Sequence, residues 1–252
     1  MKNEFIKNLE KDNKTFVFVS PHFDDALLSC GSWIERLVKN GKKVVVLNVF
    51  TKGHAGPYTL SAKKYLKDNG FTDACKLYEA REKEDRVAVG ALGANVINLD
   101  FQDAIFRKKE KASFFGNLLP EFSHVYPTYR LHVVGRGYKN DPVISGIVKE
   151  LKRVVPSDAV VISPFGTGGH ADHILTRDAC EKAFGKVIYY ADFPYSLTSK
   201  DHNRSGYQIF SQDVERVRKE EILKLYKTQY KLLFADGLLP KHKEEILIKK
   251  HD

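Results

Sequence analysis

Two stretches decide how this chain folds: Phe16-Val17-Phe18-Val19-Ser20-Pro21-His22-Phe23-Asp24-Asp25, and Ala159-Val160-Val161-Ile162-Ser163 leading on to Gly169-His170-Ala171-Asp172-His173. In each, a continuous apolar run reads as a strand buried on both faces, and a His/Asp cluster then opens a helix. Each cluster carries two potential metal ligands three residues apart, His22 with Asp25 and His170 with His173. That spacing puts both side chains on one face of a helical turn. Two strand ends feeding imidazole and carboxylate into one crevice is how an open α/β sheet builds a metal-dependent site.

Outward from these units the same alternation continues. Val44–Phe50, Asn95–Leu99 and Val187–Ala191 read as further strands. Cys30, Trp33, Ile34, Leu37 and Val38 make a helical stripe that stops near Gly41, and a long amphipathic helix spans Ala74–Leu92. Asp141-Pro142 reads as the start of a helix with a stripe of Ile144, Ile147, Val148 and Leu151. A further helix spans Asp172–Phe184, and Val214–Tyr226 and Lys241–Lys249 are expected as C-terminal helices. The expected fold is therefore α/β, Rossmann-like, with a mostly parallel sheet flanked by helices. No Pro/Gly/Ser-rich linker divides the 252 residues. One domain is expected, with a core at about 16–194 and a helical extension over 195–252. Asp100–Asn140 is a long irregular insertion. It interleaves Phe101, Phe106, Phe114, Phe115, Phe122, Tyr126 and Tyr129 with Arg107, Arg130 and Arg136, as a lid or a peripheral hairpin would.

Composition narrows the function classes. Three scattered cysteines, Cys30, Cys75 and Cys180, form no CxxC pair, which fits a reducing cytoplasm and not a thiolate zinc site. The polar segment Met1–Lys14 does not read as a signal peptide, and no apolar run reaches membrane-spanning length. The formal charge is +9, but the basic residues are dispersed and accompany no nucleic-acid-binding pattern. A nucleotide-dependent oxidoreductase is disfavoured, because no GxGxxG opens the first helix.

The chemistry of the two clusters can be written out. A hydrolytic zinc site needs three protein ligands, an open position and a base. His22, Asp25 and His173 supply the ligands, and Asp24 the base for an attacking water. His170 is placed to stabilise an oxyanion or protonate a leaving amine, and Asp172 to orient a histidine. Iron(II) suits the same nitrogen and oxygen donors.

Together the two motifs resemble the PIG-L (LmbE-like) zinc deacetylases, which carry Pro/Ala-His-Pro-Asp-Asp after one strand and His-x-Asp-His after a later one. Leu28-Ser29-Cys30-Gly31, Thr51-Lys52-Gly53, Arg81-Glu82-x-Glu84 and Leu99 with Asp103 extend the resemblance over about Phe16–Pro194. It implies removal of an N-acetyl group from an amino sugar or its nucleotide, lipid or glycoside conjugate. His22, Asp25 and His173 would be metal ligands, Asp24 the general base and His170 the electrostatic catalyst. The chain departs from the pattern at Phe23, where proline is usual, and lacks the tyrosine some members place before the second motif. Two other readings stay open: an amidohydrolase acting on a non-sugar amide, and a non-catalytic carbohydrate-binding relative. Arg81 would anchor a substrate anion or pair with Asp85, Asp103 would touch substrate or make a turn, and His54 would line the site or sit on the surface. The basic excess and Arg81 suggest a substrate bearing an anionic group. The partner is thus a small molecule, without nucleic acid, and the chain is compatible with a homo-oligomer.

Overall fold

In the computed structural model, residues 4–109, 119–134, 141–198 and 204–250 are described. The helices are α1 (Glu4–Leu9), α2 (Asp25–Lys39), α3 (Leu60–Asp68), α4 (Ala74–Ala91), α5 (Val143–Val154), α6 (Ala171–Ala183), α7 (Tyr195–Thr198), α8 (Arg216–Leu223) and α9 (Lys227–Leu233). The strands are β1 (Phe16–Ser20), β2 (Val44–Lys52), β3 (Asn95–Gln102), β4 (Val160–Pro164), β5 (Ile188–Tyr190), β6 (Tyr207–Asp213) and β7 (Lys243–Lys249). They form one sheet in the order β3-β2-β1-β4-β5-β7-β6. The first five run parallel, and β7 pairs antiparallel with both β5 and β6.

The run Phe16–Ser20 is apolar at successive positions because both faces of β1 are covered. Phe16 and Phe18 enter a core with Trp33, Leu77 and Ile222, while Val17 and Val19 enter another with Ile147, Leu151 and Leu175. Strand alternation alone distributes the side chains between the two layers. The strand order reverses between β1 and β4. At such a switch point the loops after the two strands diverge to opposite faces and leave a crevice at their carboxyl ends. His22 follows β1 and His170 follows β4, so both clusters open onto that crevice.

The expected C-terminal helical extension needs correction. Lys241–Lys249 is not a helix but the strand β7, whose buried Glu244, Ile246 and Leu247 pack on the sheet, and Tyr207–Asp213 adds a further strand. The Ile246-Leu247-Ile248 run favours pairing, and the exposed edge of β5 offers a partner. The tail therefore continues the sheet instead of flanking it. Of the residues named in the insertion, Phe114, Phe115 and Arg136 lie outside the described residues. Arg107 and Tyr126 are buried, while Phe122, Tyr129 and Arg130 are exposed.

Candidate metal centre

Serine 20 begins the local construction. Its hydroxyl donates to the His22 carbonyl and accepts from the Ala26 amide at 2.9 Å, tying the end of β1 to the first turn of α2. Within that turn Asp25 Oδ2 accepts the His22 backbone amide at 2.9 Å and lies 3.0 Å from His22 Nδ1. The same oxygen is 3.3 Å from Nε2 of His173, on the first turn of α6. Two donors bonded to one tetrahedral ion at ~2.05 Å are about 3.3 Å apart; the two Asp25 spacings match that value, and the ligand atoms of all three residues lie within 4.8 Å of one another.

The free ring nitrogens are held from behind. His173 Nδ1 is 2.7 Å from Asp192 Oδ1, and the other oxygen of Asp192 accepts the Gly166 and Thr167 amides at 2.9 and 2.8 Å. His22 Nε2 is 3.2 Å from Asp172 Oδ2 and 3.3 Å from Asp103 Oδ2. Asp172 is fixed by the Ala104 amide and by an ion pair with buried Arg107, which also grips Asp141. Carboxylates that accept the outer N–H of a ligating histidine set its tautomer and leave the inner nitrogen free. His22, His170 and Asp172 form a second group of close donors. Its Asp172 is already committed to Arg107, which favours the His22–Asp25–His173 set.

Charge points the same way. Burial by itself would lower the pKa values of His22 and His173, but the surrounding carboxylates raise both: Asp103, Asp172 and Asp25 for His22, Asp25 and Asp192 for His173. Despite burial, those imidazoles and their hydrogen bonds hold Asp25 low. The pocket thus concentrates carboxylates around two imidazoles, a distribution of charge that suits a cation.

Asp24, the residue beside the cluster, is also buried; Arg81 Nη2 stands 3.3 Å from its Oδ1. Burial outweighs the guanidinium and raises the Asp24 pKa, a shift that would suit a base. The ring of His170 packs 5.1 Å from that of His22 and 5.2 Å from that of His173. Its Nδ1 accepts the Asp172 amide at 3.2 Å, so the neutral ring presents an Nε2–H. Burial and then the two neighbouring imidazoles push its pKa well down. The accepted Asp172 amide and the lowered pKa suit a neutral His170 that donates through Nε2.

The structure brings His22, Asp24, Asp25, Arg81, Asp103, His170, Asp172 and His173 together. Arg81 is buried against Asp24, Tyr65 and Tyr78, and does not pair with Asp85. Asp103 makes the turn considered for it, capping it through the Ile105 amide, and also meets Tyr78 and His22. His54 instead stacks on Tyr58 and packs beside Phe106 and His124. Sequence reasoning missed Asp192 and Arg107. Asp192 stands just beyond the end of β5, a position that could have flagged it; Arg107 sits in an irregular segment and carries no such signal. The missing tyrosine has counterparts from elsewhere: Tyr195 lies 5.6 Å from the His173 ring and Tyr129 6.2 Å from that of His170. Tyr195 approaches so closely that a Cβ on Gly168 would fall 2.8 Å from its ring.

Comparison with known proteins agrees with this frame. The profile of the PIG-L family, described as GlcNAc-PI de-N-acetylase, matches residues 17–184, and the chain belongs to that family. A 2'-N-acetylparomamine deacetylase from Niallia circulans is 27% identical over 90% of this chain and 85% of its own length. Among solved structures, a zinc-inhibited form of the teicoplanin deacetylase Orf2 superposes with a TM-score of 0.75 at 22% identity, covering 95% of this chain and all (100%) of that one. The N,N'-diacetylchitobiose deacetylase from Pyrococcus horikoshii gives 0.55 at 14% identity, covering 98% and 90%. These structural likenesses establish the shared fold.

Proposed function

We propose that this chain is a metal-dependent N-deacetylase acting on an acetylated amino sugar or a glycoconjugate that carries one. The observation that carries the reading is the convergence of His22, Asp25 and His173 on one point, with a buried carboxylate, Asp24, beside it. Binding alone would not call for that carboxylate. Relatives named for deacetylation of acetylparomamine, teicoplanin and diacetylchitobiose support the amino-sugar class.

His22, Asp25 and His173 would hold the ion, zinc or iron(II). A divalent ion there supplies Lewis acidity, easing loss of a proton from water and polarising the amide carbonyl. Asp24 takes the proton of the attacking water. His170 donates its Nε2–H to the oxygen that gains negative charge as the carbon becomes tetrahedral. Asp24 then returns the proton to the nitrogen as the C–N bond breaks, giving acetate and a free amine. Asp172 and Asp192 keep the two imidazoles from turning, so the donors stay preorganised. No helix among the described residues is long and apolar enough to cross a membrane.

The test is acetate and amine release by metal-loaded protein from a panel of N-acetylated amino sugars, their glycosides and simple amides. Preferential release from the sugars is expected. Equal turnover of simple amides would indicate a general amidohydrolase, and sugar binding without release a non-catalytic relative.

A further inference from the structure

Tyr226 belongs to the tail beyond Pro194, outside the motifs of the family resemblance, and yet its side chain reaches the loop that carries the site. It lies at the junction of α8 and α9, buried, with its hydroxyl 3.1 Å from the carbonyl oxygen of Phe23 and 2.7 Å from Oδ1 of Asp85 on α4. Phe23 is the residue between His22 and Asp24, so its peptide joins the first metal-facing imidazole to the base. The other oxygen of Asp85 accepts the Asn48 amide of β2 at 2.7 Å, and a second hydrogen of that amide goes to Asn98 at 3.0 Å.

The proton count is decisive. The Tyr226 hydroxyl has one hydrogen and faces two acceptors, the Phe23 carbonyl and Asp85. An ionised Asp85 is the nearer and stronger acceptor and would take that hydrogen, leaving the carbonyl without it. A protonated Asp85 donates its own hydrogen to the Tyr226 oxygen, frees the phenolic hydrogen for Phe23, and still accepts from Asn48. Only the second arrangement satisfies the Tyr226 hydroxyl, the Phe23 carbonyl and Asp85 together; Asn48 Oδ1 has no partner among the described residues in either.

We infer that Tyr226 and Asp85 are positioning residues: a neutral Asp85 orders the Tyr226 hydroxyl onto the Phe23 carbonyl and so holds His22 and Asp24 in register. This rests on the deacetylase reading for its kinetic consequences, though not for its protonation. The surroundings of Asp85 agree. It is fully buried, and neither hydrogen-bond partner is a cation. The charged groups facing it are Asp24 at the head of α2 and Arg81 one turn earlier on α4, while Glu84 is turned to Thr228 of α9. Burial pushes its pKa up to about 7, against the pull of the two hydrogen bonds.

Three variants of the metal-loaded protein test this. Tyr226→Phe removes only the hydroxyl; a buried carbonyl losing its donor corresponds to about a tenfold loss. The loss is expected in kcat, with KM within about twofold and metal content unchanged. Asp85→Asn keeps the shape and the pattern, since its amide donates to Tyr226 and its carbonyl accepts from Asn48. It is expected to retain at least about half of the wild-type kcat at pH 6 and to lack the decline of the wild type above pH 7. Asp85→Ala removes the donor and is expected to resemble Tyr226→Phe. Loss in Asp85→Asn as severe as in Asp85→Ala, or full activity in Tyr226→Phe, would overturn the inference. If no substrate is turned over by the wild type, the deacetylase reading fails. The protonation of Asp85 is then still decided by comparing the pH dependence of melting of Asp85→Asn and wild type. A gap that opens as pH rises supports it, and a constant gap overturns it.

Discussion

Replacing Asp85 by asparagine should stabilise this protein, and only above acidic pH. In the unfolded chain Asp85 ionises near pH 4, whereas burial in the fold raises its pKa to about 7. Between those values the folded protein holds a proton that the unfolded chain has released. Stability of the wild type therefore falls as pH rises through that window, and the full cost is present above the folded pKa. About three pH units at 1.36 kcal/mol each put the ceiling near ~4 kcal/mol. The side chain is fully buried, so solvent screening does not reduce that figure. Asparagine carries no such penalty and keeps both hydrogen bonds. For a chain of this length, 1 kcal/mol is worth roughly 2 °C in melting temperature. The variant should thus melt up to about 8 °C higher than wild type at pH 8 and together with it near pH 4. Differential scanning calorimetry of both proteins across pH measures this, because titrating groups not coupled to Asp85 cancel in the difference. A gap independent of pH, or a variant less stable than wild type at pH 8, would refute the reasoning.

Further predictions concern the metal centre. Asp24→Asn should keep the metal and lose most hydrolysis, because an amide accepts no proton from water, whereas Asp25→Ala should lose metal; elemental analysis beside acetate release separates the two. Asp192→Ala should weaken metal binding by about 10- to 100-fold through His173, read by competition with a chelating dye. Arg81→Met leaves Asp24 buried without its guanidinium and should lower kcat for anionic and neutral amino sugars alike. A KM increase confined to the anionic substrate would instead mean that Arg81 grips the anion.

Much of this architecture was legible in the sequence. The runs Phe16–Val19 and Ala159–Ile162 are apolar at every position because their strands are covered on both faces, and that pattern marks the centre of a parallel sheet. The ligand pairs were legible because each sits within one helical turn. Residues that meet only in three dimensions were not. Asp192 becomes a partner of His173 through the pairing of β4 with β5, and Arg107 reaches Asp172 from an insertion without periodicity. Tyr226 touches Phe23 only because α8 and α9 pack on the face of the sheet that α2 and α4 also cover. His54 lies on the loop after β2, and its neighbours there, Tyr58 stacked on it and Phe106 edge-on, come from segments whose approach no local pattern announces. In Lys241–Lys249 charged flanks hide a short apolar run, Ile246-Leu247-Ile248, which needs β5 beside it to become a strand.

The central claim is tested most directly by titrating metal-free protein with zinc or iron(II) and following acetate release from an N-acetylated amino sugar. The account predicts no turnover without metal, a linear rise on addition, and saturation at one ion per chain, with Asp25→Ala and His173→Ala failing to saturate in the same range. Full turnover by the metal-free protein, or an ion bound one per chain without any release of acetate, would contradict it.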